Sequence, residues 1–250
     1  LSFFGIAPDI NLDIMKENQD LFSITSSIMN SLKKSFEEFN PDLILVHGDT
    51  TTAFSASLAA FYARIKIGHV EAGLRTWNLK SPFPEEFNRQ SIGKIANYHF
   101  SPTVKSEENL KVEGIAAKNI LTTGNTVIDA LKLAVAKLEN YQSGPLNLLK
   151  TLIKKDHRIV LVTAHRRENH GIGIQNICKA LKVIATNFNK DVTIVIPVHP
   201  NPKVKEVIVG ELSELSNILL VEPLGYPEFI WLMNVSHIIL TDSGGVQEEA

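Results

Sequence analysis

The sequence predicts an α/β protein built from two Rossmann-like domains, parallel sheets facing a shared cleft. Three observations lead there. Eight short apolar, β-branched runs recur along the 250 residues, and runs that are apolar throughout suit strands covered on both faces. Helical patterns separate them, as parallel βαβ units require. The series breaks once, at the turn-rich stretch "YQSGPLN" (141–147), and then resumes.

The elements follow in order. "DLFSITSSIMNSLKKSFEEF" (20–39) sets Leu21, Ile24, Ile28, Leu32, Phe36 and Phe39 on one helical stripe. "DLILVHGD" (42–49) reads as the first strand, "TTAFSASLAAFYA" (51–63) as a helix and "KIGHVEAG" (66–73) as the next strand. "SPFPEEFNR" (81–89) reads as a turn opening a helix with acidic residues in its first turn. "YHFSPT" (98–103) and "NILTTGN" (119–125) complete the first strand series, and "TVIDALKLAVAKLEN" (126–140) is helical. The second series is "RIVLVTAHR" (158–166), "VTIVIPVHP" (192–200), "NILLVEPL" (217–224) and "HIILTDSGG" (237–245). "IQNICKALKVIATNF" (174–188) and "YPEFIWLMN" (226–234) are helices between its strands. The expected division is a domain over 1–124, a helix and hinge over 125–157, and a second domain over 158–250.

Composition excludes several classes of function. The net charge is −2, and no block of Lys and Arg forms a patch, so nothing points to nucleic acid. The single cysteine, Cys178, rules out an internal disulfide framework and a cysteine metal site. Its helical spacing predicts a buried core thiol. The histidines lack the spacing of metal ligands, so no metal is expected. No apolar run approaches the roughly 20 residues of a membrane span. Leu1 stands where a Met would begin a chain, and Ala250 falls about one turn into an expected helix. Both ends therefore read as internal.

In a parallel sheet the strands finish on one side, and ligands bind there. His47, Asp49, Glu71, Ser101, Asn125, His165, Arg166, His199, Asp242 and Ser243 all fall at such ends. Helix capping would explain any one of them; their recurrence at seven of the eight expected strands predicts a polar cleft. Asp49 is either the cap of the helix beginning at Thr51 or a proton-transfer group. Parallel neighbours lie about 4.8 Å apart, so Asp49 and Glu71 can converge and raise a carboxyl pKa. Glu85 and Glu86 are either a solvated first turn or further members of that set. His165 and Arg166 suit a diphosphate, or a basic loop paired with Glu168. The Ser243-Gly244-Gly245 turn before a helix suits a phosphate, or an empty capping turn, and Glu249 lies where a carboxylate can accept from ribose hydroxyls. His199 is a ligand contact or ordinary turn chemistry. Phe229 stacks on a base or packs in the core; Trp77 and Trp231 are packing residues. No Walker lysine and no GxGxxG is present.

In order, "VHGDTTT", "GHVEAGLRT", "SPFPEEFNR", "FSPT", "TGNTVIDAL", "HRREN", "VHPNP" and "TDSGGVQEEA" closely resemble the bacterial non-hydrolysing UDP-N-acetylglucosamine 2-epimerase family. The resemblance implies the GT-B fold of nucleotide-sugar glycosyltransferases. It implies a cytoplasmic isomerase that interconverts UDP-N-acetylglucosamine and UDP-N-acetylmannosamine without a cofactor, acts as a homodimer and feeds cell-surface polysaccharide synthesis. It makes Asp49, Glu71 and Glu85 the catalytic carboxylates and His165 a diphosphate contact. Arg166, Ser243, Gly244, Gly245, Glu249 and Phe229 become substrate contacts, and His199 and Arg75 members of a second, activating site. The family's Gly-rich N-terminal loop and its C-terminal basic segment are expected outside residues 1–250. Two other readings stand beside it: a hydrolysing epimerase, which releases the free sugar, and an inactive nucleotide-binding fragment.

Overall fold

The computed structural model describes residues 1–16, 19–154, 156–164 and 171–250. They divide into two compact units, Ile6–Thr126 and Leu1–Gly5 with Val127–Ala250.

The first unit runs α1 (Leu21–Phe39), β1 (Leu43–His47), α2 (Thr51–Tyr62), β2 (Lys66–Val70), α3 (Glu85–Ile95), β3 (Tyr98–Ser101), α4 (Val104–Val112) and β4 (Ile120–Thr122). Its sheet is parallel with order β1-β2-β3-β4. His47 pairs with Val70, so Gly48 and Glu71 emerge level with each other at the carboxyl edge. Ala53 and Ala60 of α2 pack against Val46, Ile67 and Ile92. Small residues let α2 lie close to the sheet, and the buried Ser55 and Ser57 hydroxyls donate to the carbonyls of Thr51 and Ala53. α1 opens on a capping box between Asp20 and Ser23 and packs against α2. Of its expected stripe only Ile28 is fully buried, and Leu21 and Phe39 at the two ends are exposed. A helix resting on another helix covers its middle first.

The second unit runs α5 (Thr126–Leu138), α6 (Gly144–Leu152), β5 (Arg158–Thr163), α7 (Ile172–Asn187), β6 (Val192–Pro197), α8 (Pro202–Leu212), β7 (Ile218–Val221), α9 (Tyr226–Val235), β8 (Ile238–Thr241) and α10 (Gly244–Glu249). Its parallel sheet has the order β7-β6-β5-β8. Alternate residues build two cores. Val160, Val162, Ile194 and Ile196 pack with Ile174, Leu181 and Ile208; Ile159, Leu161 and Val195 pack with Ala134, Ile230 and Leu232. Two covered faces require strands that are apolar at every position. Cys178 is buried in the first of these cores, and burial pushes its thiol pKa up, as a packing residue should behave.

The turn-rich stretch 141–147 needs correction. Gly144 already begins α6: the Ser143 hydroxyl accepts from the Leu146 N–H at 3.1 Å, and Pro145 lies in the first turn. Ser, Gly and Pro here are helix-start chemistry. Leu1–Gly5 joins this unit through ring contacts, Phe3 with Tyr141 and Phe4 with Tyr226. Among the described residues, no helix is long and apolar enough to cross a membrane.

Candidate active site

Carboxylates stand at the ends of β1 and β2 and at the start of α3 in the first unit. Gly48 leaves β1 at φ 69° and Glu71 leaves β2 at φ 65°, a left-handed conformation uncommon for a residue with a side chain. A Cβ at Gly48 would stand 3.1 Å from Glu71 Oε2, so glycine gives the carboxylate room. Glu71 Oε2 lies 3.3 Å from His47 Nε2. The turn itself is pinned from below. His69 Nε2 lies 2.8 Å from the Gly48 carbonyl. A carbonyl only accepts, so Nε2 carries the proton. The ring is buried and neutral, its pKa brought down to about 4 by burial above all.

Asp49 comes next, and one of its two expected roles is decided. The α2 cap is Thr50, whose hydroxyl accepts from the Ala53 N–H at 3.2 Å. Asp49 instead meets α3. Its Oδ2 lies 2.7 Å from Arg89 Nη2, and its backbone carbonyl accepts from Asn88 Nδ2 at 2.8 Å. Burial is the main cause raising the Asp49 pKa; Arg89 opposes it, and Glu85 and Glu86 add to it. The negative charges that act on Asp49 are thus those of α3. Glu85 is the half-buried first residue of α3. Glu86 is fully buried. It accepts from the Thr76 and Trp77 N–H groups, both at 3.0 Å, and from Gln90 Nε2 at 2.7 Å. Burial alone would raise its pKa, but these hydrogen bonds and Arg89 bring it below its ordinary value.

Arg75 does not face this cluster. Its guanidinium is fully buried and bound to both carboxylate oxygens of Glu113, at 2.7 and 2.9 Å. Its Nη1 donates to the Leu74 carbonyl. The geometry makes it a brace between the loop after β2 and the end of α4.

In the second unit the chain passes from β5 outward through β6 and β7, then crosses to the other side of β5 as β8. The reversal lies between β5 and β8, where sheets of this kind take ligands. There Thr163 Oγ1 and Thr241 Oγ1 lie 2.6 Å apart, and the Ser243 N–H donates to Thr241 Oγ1 at 2.9 Å. Ser243 is the N-cap of α10 without a side-chain capping bond, and no atom lies within 4 Å of a Cβ built on Gly245. A hollow of about 380 Å³ opens beside Thr163, lined by Pro197, His199, Leu224, Phe229 and Val246. Phe229 therefore has both expected surroundings, since it also packs against the core. Glu249 lines a different hollow, with Ile230 and His237; burial raises its pKa, and Glu248 adds to this. Gly244 begins α10. His165 and Arg166 lie outside the described residues.

Sequence reading singled out Asp49, Glu71 and Glu85 but passed over Arg89 and Asn88. The signal was present: Arg89 stands three residues after Glu86 and four after Glu85, the spacing of one helical face.

A family model described as UDP-N-acetylglucosamine 2-epimerase matches residues 1–250. The UDP-N-acetylglucosamine 2-epimerase of Campylobacter jejuni is 52% identical over 255 residues, covering all of this chain and 66% of its own length. The crystal structure of UDP-GlcNAc 2-epimerase from Neisseria meningitidis bound to UDP-GlcNAc is 48% identical, with a TM-score of 0.87 over all of this chain and 67% of its own. The S. aureus MnaA–UDP structure is 42% identical, with a TM-score of 0.86 over all of this chain and 64% of its own. The chain thus spans about two thirds of the length of these relatives. With two Rossmann-like units in chain order, carboxylates at the strand ends of one and a pocket at the ends of β5, β6 and β7 in the other, the chain belongs to the UDP-N-acetylglucosamine 2-epimerase family.

Proposed function

We propose that a full-length protein carrying this sequence interconverts UDP-N-acetylglucosamine and UDP-N-acetylmannosamine by eliminating and re-adding UDP, without hydrolysis. The observation that carries the reading is Asp49 at the end of β1, held by Arg89 and acted on by the negative charges of Glu85 and Glu86, with Glu71 at the end of the neighbouring strand beside Gly48. Relatives solved with UDP-GlcNAc or UDP bound support the class of substrate.

The C2 proton sits on the carbon that bears the amide nitrogen, with no carbonyl next to it, and is not acidic at rest. As the C1–O bond breaks, UDP leaves with the electron pair and C1 gains oxocarbenium character, which acidifies C2–H. One carboxylate takes that proton and 2-acetamidoglucal forms. A protonated group then delivers a proton to the opposite face of C2, while a β-phosphate oxygen of UDP re-forms the bond to C1. Asp49, Glu71 and Glu85 are the candidates for base and acid. A carboxyl raised by burial and by neighbouring charge, like Asp49, suits exchange of protons closer to neutral pH. The nucleotide is assigned to the pocket of Phe229 and His199 and to the Ser243–Gly245 turn, with His165 and Arg166 on the leaving diphosphate. In this reading closure about the hinge within 125–157 retains the glucal. The resemblance further carries a homodimer and a cytoplasmic setting.

Proton NMR of UDP-N-acetylglucosamine with the full-length protein in D2O tests the reaction. The expected result is UDP-N-acetylmannosamine, with deuterium entering at C2 and no free sugar accumulating. Free N-acetylmannosamine with stoichiometric UDP would replace this reading with the hydrolysing one.

A further inference from the structure

The α3 residues that hold Asp49 form a chain. Arg89 Nη2 lies 2.7 Å from Asp49 Oδ2, and Arg89 Nε lies 3.5 Å from Glu86 Oε2. The Arg89 side chain is only 12% exposed, and that of Glu86 not at all. Glu86 in turn receives the backbone N–H groups of Thr76 and Trp77, so the loop after β2 is tied to the same helix. Asn88, next to Arg89, holds the Asp49 carbonyl. Main chain and side chain of Asp49 are therefore gripped by consecutive residues of one helix. An arginine does not give up its proton near neutral pH, so its part here is to hold another group.

We propose that Arg89 is the positioning residue of the epimerase reaction, holding the Asp49 carboxylate in one orientation and anchored in that task by Glu86. The inference rests on the reading that Asp49 exchanges a proton with the sugar. The Glu86 contact is an ion pair at 3.5 Å without a hydrogen bond to Nε, but with its side chain only 12% exposed the guanidinium follows a rotating Asp49 less freely than a solvated partner would. That rigidity is what a proton-transfer group needs, because a misplacement of about 1 Å can cost on the order of 100-fold in rate.

A purely structural ion pair would account for the same distances, so the test needs a readout that stability does not move. The charged groups around Asp49 are Arg89, Glu85 and Glu86 from α3, with the His47–Glu71 pair beside Gly48. Removing the one cation among those of α3 leaves burial and two negative charges unopposed, which raises the Asp49 pKa further. In the full-length enzyme, Arg89→Gln should lower kcat about 10- to 100-fold, the range seen when a supporting partner of a reacting group is removed. KM for UDP-N-acetylglucosamine should stay within about twofold, and the limb of the kcat/KM pH profile set by Asp49 should move to higher pH. Arg89→Lys keeps the charge but loses the fork, so its limb should stay in place while kcat falls less. Adding Arg89→Gln to Asp49→Asn should cost nothing more. A wild-type pH profile in Arg89→Gln, or losses that multiply in the double variant, would overturn the inference. Should Arg89→Gln fail to fold, Arg89→Lys decides: lowered kcat at unchanged KM supports it, and unchanged kcat sinks it. Wild-type turnover in Asp49→Asn is a separate result, which removes Asp49 rather than Arg89.

Discussion

The two units use the same scaffold, a four-stranded parallel sheet whose strands alternate with helices, and equip its carboxyl edge differently. In the first, carboxylates are wired to cations: Glu71 to His47, Asp49 to Arg89, Arg89 to Glu86. In the second, Asp242 follows β8 and Glu222, paired with Lys205, follows β7, while hydroxyls from Thr163 and Thr241, prolines and the Phe229 ring lie around a hollow. Charge held by ion pairs and burial is what shifts pKa values and moves protons; shape with hydroxyls and an aromatic face is what holds a base and a ribose. Under the proposed function, the contrast places proton transfer in the first unit and nucleotide binding in the second.

The sharpest way to break that assignment is to neutralise a carboxylate. In the full-length enzyme, Asp49→Asn or Glu71→Gln should lower turnover by about 100-fold or more, the scale of general acid–base catalysis. UDP binding, measured by calorimetry, should be nearly unchanged. Loss of UDP affinity in either variant would show that the charged edge binds nucleotide as well.

The next effect comes from beneath the charged edge. His69 is neutral in the fold with a pKa of about 4, against about 6.5 unfolded. Between those values the unfolded chain takes up a proton that the folded one does not, so stability falls as pH drops from about 6.5 towards 4. The full difference is worth on the order of 3 kcal/mol. His99, its register partner on β3, is also lowered, mainly by burial, and acts in the same direction. His69→Gln can keep a donor near the Gly48 carbonyl but does not titrate. Urea midpoints at pH 7 and pH 5 should therefore differ less in the variant than in the wild type. An equal difference would move the pH sensitivity away from this histidine.

At the pocket of the second unit, Phe229→Ala should raise KM about 10-fold with kcat within about twofold, since base–aromatic stacking is worth roughly 1–3 kcal/mol. The ring also packs against the core, so a lowered Tm with unchanged KM would instead make it a packing residue.

What could be read from the sequence followed from how strongly burial constrains each residue. β5 and β6 were visible because both of their faces are covered, which leaves no position for a polar residue in runs such as 159–162; β1 kept an apolar run although Leu43 and Leu45 are exposed. The carboxylates of the site were visible as polar residues ending such runs. Their wiring was not. Whether Asp49 caps α2 or meets Arg89 depends on which of two adjacent residues, Asp49 or Thr50, turns towards the helix. Arg75 was given to a second site by the resemblance alone, and nothing in the sequence marks its Glu113 partner 38 residues away. α6 stayed hidden because Ser, Gly and Pro signal both a turn and a helix start, and only the Ser143–Leu146 hydrogen bond separates them.

The smallest effect sharpens the comparison within the charged edge itself. Thr50 and Asp49 are neighbours, yet the structure gives them separate tasks: Thr50 caps α2 through the Ala53 N–H, and Asp49 meets α3. Thr50→Ala removes an N-cap and should cost about 1 kcal/mol of stability, read as a lower urea midpoint. At 25 °C its kcat should stay within about twofold of wild type, because the grip of Asn88 and Arg89 on Asp49 does not pass through the Thr50 hydroxyl. Asp49→Asn should do the reverse, sparing the midpoint and removing turnover. If Thr50→Ala lowered kcat as far as it lowered stability, cap and carboxylate would be one coupled unit. The division of labour would then hold between the two units of the chain but not between two adjacent residues.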